Sequence, residues 1–253
     1  MCIRDSTATS TGLTVVFPAW SLAGGTTKLK ERLDDSIQRK KIKDQIIWNI
    51  VYDRGGGNPA SIVVANYPHN TDYNGMNLAE ITKARGKKPT VENAAEVLMD
   101  VVYVGNGQGI YHCLDEEDVK RIMSHPHVMH ASDGSTIEFG KAQPHPRSYG
   151  TYPRILGRYV RQANLIPLTE SIRKMTSLPA SVLGLHERGM IKNNFWADLV
   201  IFDPNKIIDN ATWENPHQFP SGISWVLVNG KIVIEKGEKS GKLTGKVLKH
   251  SRM

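Results

Sequence analysis

The stretch His127-Val-Met-His-Ala-Ser-Asp-Gly134 decides how the rest of the chain is read. His127 to Ala131 reads as a short strand, and Asp133 follows it directly. Upstream, Asp115 opens a helix with three further acidic residues in its first turn, a placement the helix dipole favours. Val119, Ile122 and Met123 form the buried face of that helix. A helix followed by a short strand that ends in a polar cluster is the grammar of an α/β barrel. In that frame Asp133 sits at the C-terminal mouth of a parallel strand, where barrel enzymes place catalytic groups. The competing reading is an ordinary Asp-Gly turn.

Working outward, the middle of the chain is helical. Asn77-Leu-Ala-Glu80 has the layout of a capping box. Pro89-Thr90 starts a further helix whose apolar positions Val91, Ala94, Ala95, Leu98, Val101 and Val102 follow helical spacing. Gly105, Gly107 and Gly109 end it. The first third is irregular: Thr14-Val-Val-Phe17 stops at Pro18, Gly24-Gly25 precedes a charged helical stretch, and Asp53-Arg-Gly-Gly-Gly-Asn-Pro59 is a turn-rich loop before the strand Ser61-Ile-Val-Val-Ala65. Past Asp133, helices are expected near Arg154 to Ala163 and Leu168 to Leu185. Ala197 to Phe202 reads as a strand. Asn229-Gly230, between Trp225-Val-Leu-Val228 and Lys231-Ile-Val-Ile234, is a two-residue hairpin signal. These signals give an α/β chain with a small β domain from about residue 187 onward.

The chain has 253 residues, 40% apolar and 23% charged, which is a globular composition. It contains no run of about 18 apolar residues of the kind that spans a membrane. Met1 to Ser6 has no apolar run, so no secretory signal is expected. Two cysteines, Cys2 and Cys113, make no disulfide framework and no Cys-x-x-Cys pair, so the expected setting is a reducing cytoplasm. The formal charge is +7, and Lys231 to Met253 carries +5 of it. A second basic run holds Lys28, Lys30, Arg32, Arg39, Lys40, Lys41 and Lys43. Without an aromatic platform or a groove-reading helix among these charges, they read as solvated faces rather than a nucleic-acid surface.

Three further groups invite a chemical reading. His125-Pro-His127-x-x-His130 resembles a metal cluster, yet on a strand His127 and His130 point to opposite faces and cannot converge on tetrahedral zinc. His145-Pro-Arg-Ser-Tyr-Gly-Thr-Tyr-Pro-Arg154 is a dense polar run in which Arg147 is suited to a carboxylate and His145 to orienting a substrate. The alternative there is a loop packed by its own prolines and tyrosines. Asp198 reads as strand-end structure.

The segment His130-Ala-Ser-Asp-Gly134 followed by His145-Pro-Arg-Ser-Tyr-Gly-Thr-Tyr-Pro-Arg-Ile-Leu-Gly-Arg-Tyr159 resembles the N-acyl-D-amino-acid deacylases (D-aminoacylases) of the amidohydrolase superfamily. Ser171 to Ala180, Leu183-Gly-Leu with Arg188-Gly189, Ala197-Asp-Leu-Val-Ile-Phe-Asp-Pro204, Pro216-His-Gln, Gly222-Ile and Val228-Asn-Gly230 continue the likeness. It covers nearly all of the chain after residue 6 and is specific from about 125 to 230. The resemblance implies the C-terminal part of a metal-dependent (β/α)8 barrel over 7–186, with an irregular insertion. It implies strands of a small β domain over 187–253, in a fold where that domain draws on both ends of the chain. Residues 1–6 do not continue the pattern and are read as non-native. Members of the family are roughly twice as long, and none of the nine histidines here matches their principal zinc ligands, so the chain is expected to be a fragment, inactive alone.

Carried over residue by residue, the resemblance makes Asp133 the catalytic residue. It would accept a proton from a metal-bound water, return it to the leaving amine, and contribute to a second metal site. Ser10, His145 and Arg147 fall in the substrate pocket. The implied cofactor is zinc and the implied partner a small N-acyl-D-amino acid, with no nucleic acid and no membrane. Asn194 stands where the family has Gly, and Asn tolerates the same positive φ. The rival readings are a cyclic-amide hydrolase of the dihydropyrimidinase or hydantoinase kind, favoured less by the tyrosine-rich run, and a non-catalytic basic binding protein.

Overall fold

Capping residues and apolar spacing set the helices of the first half. The computed structural model describes residues 11–141 and 143–248. In chain order the first half runs β1 (Thr11–Gly12), α1 (Ala19–Leu22), α2 (Gly25–Asp34), α3 (Ser36–Asn49), β2 (Ile62–Asn66), α4 (Leu78–Ala84), α5 (Val91–Val104) and β3 (Gln108–Tyr111). Asp35 caps α3 by accepting from the Gln38 N–H at 2.7 Å. Both halves of the expected capping box form: Asn77 accepts from the Glu80 N–H at 3.0 Å, and Glu80 accepts from the Asn77 N–H at 2.8 Å. Thr90 caps α5 by accepting from Asn93 N–H, and the helix buries Ala94, Ala95, Val97, Leu98, Met99, Val101 and Val102. That stripe packs against α2, α3 and α4. The three strands form an antiparallel sheet in the order β1-β3-β2.

These elements make one compact unit, residues 11–116 with the flank 135–145. Its core is apolar and continuous, from Leu13 and Val16 through Ile42, Ile46, Ile62 and Leu98 to Tyr111. The basic run of 28–43 lies on α2 and α3. There Arg39 pairs with Glu96 and Asp100 of α5 at 2.8 and 2.7 Å, and Lys43 pairs with Glu96 at 2.9 Å. Glu96 is held below the usual carboxylate range by Lys43 and Arg39, against the opposing effect of its burial.

The second unit contains residues 117–134 and 146–248. It runs α6 (Glu116–Ser124), α7 (Arg147–Arg154), α8 (Leu168–Met175), α9 (Ser177–Val182), β4 (Leu199–Phe202), β5 (Ile223–Val228), β6 (Lys231–Glu235) and β7 (Glu238–Lys239). The strands form an antiparallel sheet in the order β4-β5-β6-β7. Asn229 and Gly230 adopt φ of 52° and 76°, the left-handed pair a tight two-residue hairpin needs. Asn194 has φ 66°, so it does take the conformation expected of the residue replacing Gly.

Three expected elements differ. The segment 127–131 forms no strand among the described residues: His127 lies in a turn closed by the Val128 N–H donating to the His125 carbonyl at 3.1 Å, and a barrel strand draws its hydrogen bonds from neighbours on either side. The His130 N–H instead donates to the Lys174 carbonyl at 3.1 Å. The helix expected from Arg154 begins seven residues earlier and passes at Ile155–Gln162 into π-type turns, with Ala163 N–H reaching the Arg158 carbonyl. Pro153 lies just before that change; its ring crowds the preceding turn and removes one N–H. The long helix expected over 168–185 is broken at Thr176, whose φ of −129° and ψ of −83° are not helical.

Beside a buried apolar set that includes Met123, Ile155, Tyr159 and Ile207, this unit uses close backbone approach and buried charge. A Cβ added at Gly150 would lie 2.6 Å from Asp209 Cβ, and one at Gly157 would lie 2.6 Å from the Ile207 carbonyl oxygen. The helix can therefore rest on the 207–209 segment only because both positions are glycine. The Asp209 carboxylate is fully buried and accepts from Arg158 at 2.9 Å and Arg154 at 3.4 Å. Among the described residues no helix is long and apolar enough to cross a membrane.

Candidate active site

Asp133 lies in the irregular segment that follows α6. Its φ of 48° is left-handed, a region Asp visits more readily than most side chains. Ser132 Oγ steadies the turn by accepting from the Gly134 N–H at 3.2 Å. A Cβ on Gly134 would meet Ser148 Cα at 3.0 Å and the Arg147 carbonyl oxygen at 3.1 Å. Glycine thus lets the turn lie directly on the first turn of α7. From that turn Arg147 sends a guanidinium N–H to Asp133 Oδ2 at 2.6 Å. The arginine side chain is 2% exposed and the aspartate side chain 68% exposed. A carboxylate fixed through one oxygen and open to solvent can accept, hold and return a proton.

The other expected site residues are distributed as follows. His145 is fully buried and lies just before Pro146, the residue that precedes α7. Ser10 and residues 1–6 fall outside the described residues. One pair escaped the sequence reading. The Tyr149 hydroxyl lies 2.8 Å from His217 Nδ1, and Phe219 packs edge-on against the tyrosine ring. Partial burial raises the Tyr149 hydroxyl above its ordinary pKa. The tyrosine-rich run and Pro216-His-Gln marked both segments; nothing in their spacing marked the contact.

The three histidines before Asp133 do not converge. His125 and His127 are exposed with ring centroids 5.7 Å apart, and the His127 N–H donates to His125 Nδ1. His130 is buried, and neither of its ring nitrogens has a hydrogen-bond partner among the described residues. Burial, reinforced by the Lys174 charge, pushes its pKa down to about 4, so the ring is neutral. Lys174 is itself buried, donates to the Met123 carbonyl, and has its ammonium pKa lowered by that burial. Among the described residues no group of three or more His, Cys, Asp or Glu side chains could hold a metal ion. Asp198, as expected, serves the strand end: it pairs with Arg188 and accepts from the Asn229 N–H at 2.7 Å.

Comparison with known proteins gives this geometry a setting. The amidohydrolase family matches residues 77–234. An N-acyl-D-glutamate deacylase of Alcaligenes xylosoxydans xylosoxydans is 44% identical over 140 residues, 55% of this chain and 28% of the relative. A D-aminoacylase of the same organism is 38% identical over 177 residues, 70% of this chain and 34% of the relative. Among solved structures, an N-acyl-D-glutamate deacylase from Bordetella bronchiseptica, complexed with zinc and a phosphonate mimic of the tetrahedral intermediate, is 39% identical. It matches with a TM-score of 0.60 over 69% of this chain and 34% of its own. A D-aminoacylase studied for its binuclear metal centre is 37% identical, with a TM-score of 0.63 over 72% of this chain and 36% of its own. The chain thus spans about a third of the length of the relatives it matches. Its architecture is α/β, that of the C-terminal part of an amidohydrolase barrel followed by part of a small sheet domain.

Proposed function

We propose that this chain, which belongs to the amidohydrolase family, carries the catalytic aspartate of a hydrolase that removes N-acyl groups from D-amino acids. The observation that carries the reading is the Asp133 carboxylate, exposed on a left-handed turn and tied to α7 through one oxygen. In the proposed reaction Asp133 takes a proton from the attacking water and gives it to the departing amine, as a linear amide requires when its nitrogen leaves. Ser10, His145 and Arg147 are assigned to the substrate side of the site. In domain terms, 7–186 is assigned to the barrel and 187–253 to the small β domain, and the setting is cytoplasmic.

Zinc is the cofactor proposed for the complete enzyme. The described residues do not by themselves fit a zinc site, because they gather no set of three donors and Asp133 offers one carboxylate. The principal ligands are therefore assigned outside these residues.

The test is to express the complete reading frame that contains this chain, with zinc, and supply N-acetyl-D-amino acids, their L enantiomers, hydantoin and dihydrouracil. Release of free D-amino acid, with the L enantiomers and the rings untouched, is the expected result. Ring opening in preference to deacylation would replace this reading with the cyclic-amide hydrolase.

A further inference from the structure

We infer that Tyr149 and His217 are a pair of positioning residues for substrate recognition: their contact holds in place the first turn of α7, which carries Arg147. The inference rests on the deacylase reading for the substrate whose carboxylate Arg147 meets, and on the fold alone for the contact.

The first turn of α7 is weak on its own. Pro146 stands at its N-cap and offers no side-chain acceptor, so no cap bond forms there. Gly150 costs the helix backbone entropy, and Pro153 withholds one intrahelical N–H. The Tyr149 and Gly150 N–H groups share one acceptor, the Pro146 carbonyl, at 3.1 Å each. A side chain that must meet a substrate carboxylate in one geometry needs a fixed backbone beneath it. The Tyr149–His217 contact supplies that fixity from outside the helix. The hydroxyl and Nδ1 are 2.8 Å apart. Two rings hold the tyrosine ring edge-on, His217 at 5.6 Å and 74° and Phe219 at 5.5 Å and 71°. Residues two apart on a helix differ by about 200° in direction, so Tyr149 leaves the face opposite Arg147 and ties the turn from behind.

The loop that presents His217 is itself fixed, although it lies 68 residues from Tyr149 in the chain. Asn210 Nδ2 donates to the Phe219 carbonyl at 2.9 Å and to Ser221 Oγ at 2.8 Å. Gln218 Nε2 donates to the Asn210 carbonyl at 2.8 Å and to the Asn215 carbonyl at 2.9 Å. Ile208 and Ser221 exchange backbone bonds at 3.2 and 3.1 Å at the base of the loop. His217 therefore reaches Tyr149 from a segment cross-linked by its own amide side chains. Removing the bond loosens the turn that carries Arg147, while Asp133 keeps its own turn bond between Ser132 Oγ and the Gly134 N–H. Substrate affinity is the property that suffers first.

The kinetic test uses the complete enzyme with Tyr149→Phe, His217→Leu, His217→Asn and the Tyr149→Phe/His217→Leu double variant. Asparagine places an amide near the position of Nδ1 and can donate or accept there. Tyr149→Phe and His217→Leu are each expected to raise KM for N-acetyl-D-amino acids about five- to tenfold, the scale of one net hydrogen bond, with kcat within about twofold of the parent. His217→Asn should recover most of that affinity, and the double variant should be no worse than either single one. An unchanged KM, a loss confined to kcat, or losses that multiply in the double variant would overturn the proposal. Amide hydrogen exchange on the same proteins gives a readout that needs no substrate. The Gly150 and Thr151 amides should exchange severalfold faster in His217→Leu than in the parent, and near the parent rate in His217→Asn. Equal rates in all three would overturn the contact's hold on the turn. A parent enzyme that deacylates nothing would sink the deacylase reading instead, while the exchange rates would still decide whether His217 holds α7.

Discussion

The two units solve the folding problem with different interactions. The first buries an unbroken apolar cluster around α5, and its ion pairs among Arg39, Lys43, Glu96 and Asp100 lie toward the surface. Among the described residues the second buries a smaller apolar set, with Met123, Ile155, Tyr159 and Ile207 among the most enclosed. Its largest investment is one helix, α7 and its π-type extension, carrying Gly150 and Gly157 for close approach and Arg147, Arg154 and Arg158 for charged contacts. Apolar burial is non-directional and tolerates repacking. Charged contacts fix direction at a high desolvation cost. The unit that presents Asp133 adds the second kind to its apolar burial, which suits a carboxylate that must point one way.

The contrast can be broken at its most charged point. Asp209→Ala leaves two arginines facing a buried site without their shared carboxylate, and should cost about 3–5 kcal/mol, the scale of breaking a buried ion pair from one side. Hydrogen exchange should show the loss along α7 and the 207–209 segment while α5 stays protected. Loss of protection spread evenly over both units would show that they are not energetically distinct. The apolar counterpart is Leu98→Ala, expected to cost about 2–5 kcal/mol through a cavity in the α5 stripe. Urea unfolding followed by exchange should place that loss in the first unit.

His130 sharpens the contrast through pH. Its ring titrates at about 4 in the folded chain against 6.5 as a free side chain, so the unfolded chain takes up the proton first as pH falls. Its contribution to stability is therefore whole above pH 6.5, declines between 6.5 and 4, and reaches a loss of roughly 3 kcal/mol. His130→Leu should flatten that part of the stability profile. It should cost little at pH 7, because the ring nitrogens it removes have no partners among the described residues. An unchanged slope would mean that another group sets it. The smallest effect expected is from Gly157→Ala. Alanine ordinarily favours a helix interior by about 1 kcal/mol over glycine. Here the added methyl would sit 2.6 Å from the Ile207 carbonyl oxygen, so a net loss of about 1–3 kcal/mol is expected in a thermal melt. A gain in Tm would mean that the helix can lift off the segment freely.

How much could be read from residues alone follows the same division. Local chemistry was legible: the Asn77–Glu80 capping box, the α5 stripe, the Asn229-Gly230 hairpin and the left-handed Asn194 are each set by a few neighbouring residues. The strand expected at 127–131 was not realised, because strand pairing depends on neighbours and not on the segment itself. The break at Thr176 followed no Gly or Pro signal at that position. Within the site, Asp133 could be singled out by its place after a segment with strand-like composition. The Arg147 contact could not, since thirteen residues separate the two in sequence and they meet where Gly134 closely approaches α7. Asp209 carried no motif at all; its role comes from three side chains that meet only in the folded chain.

The most direct test of the central claim is Asp133→Asn in the complete enzyme, with turnover, KM and bound zinc measured on the same preparation. Asparagine keeps the shape but cannot carry the proton. A fall in kcat of roughly 10²-fold or more, with KM nearly unchanged and the tightly held zinc retained, is the predicted result. Near-normal turnover would contradict the assignment of Asp133 as the proton carrier.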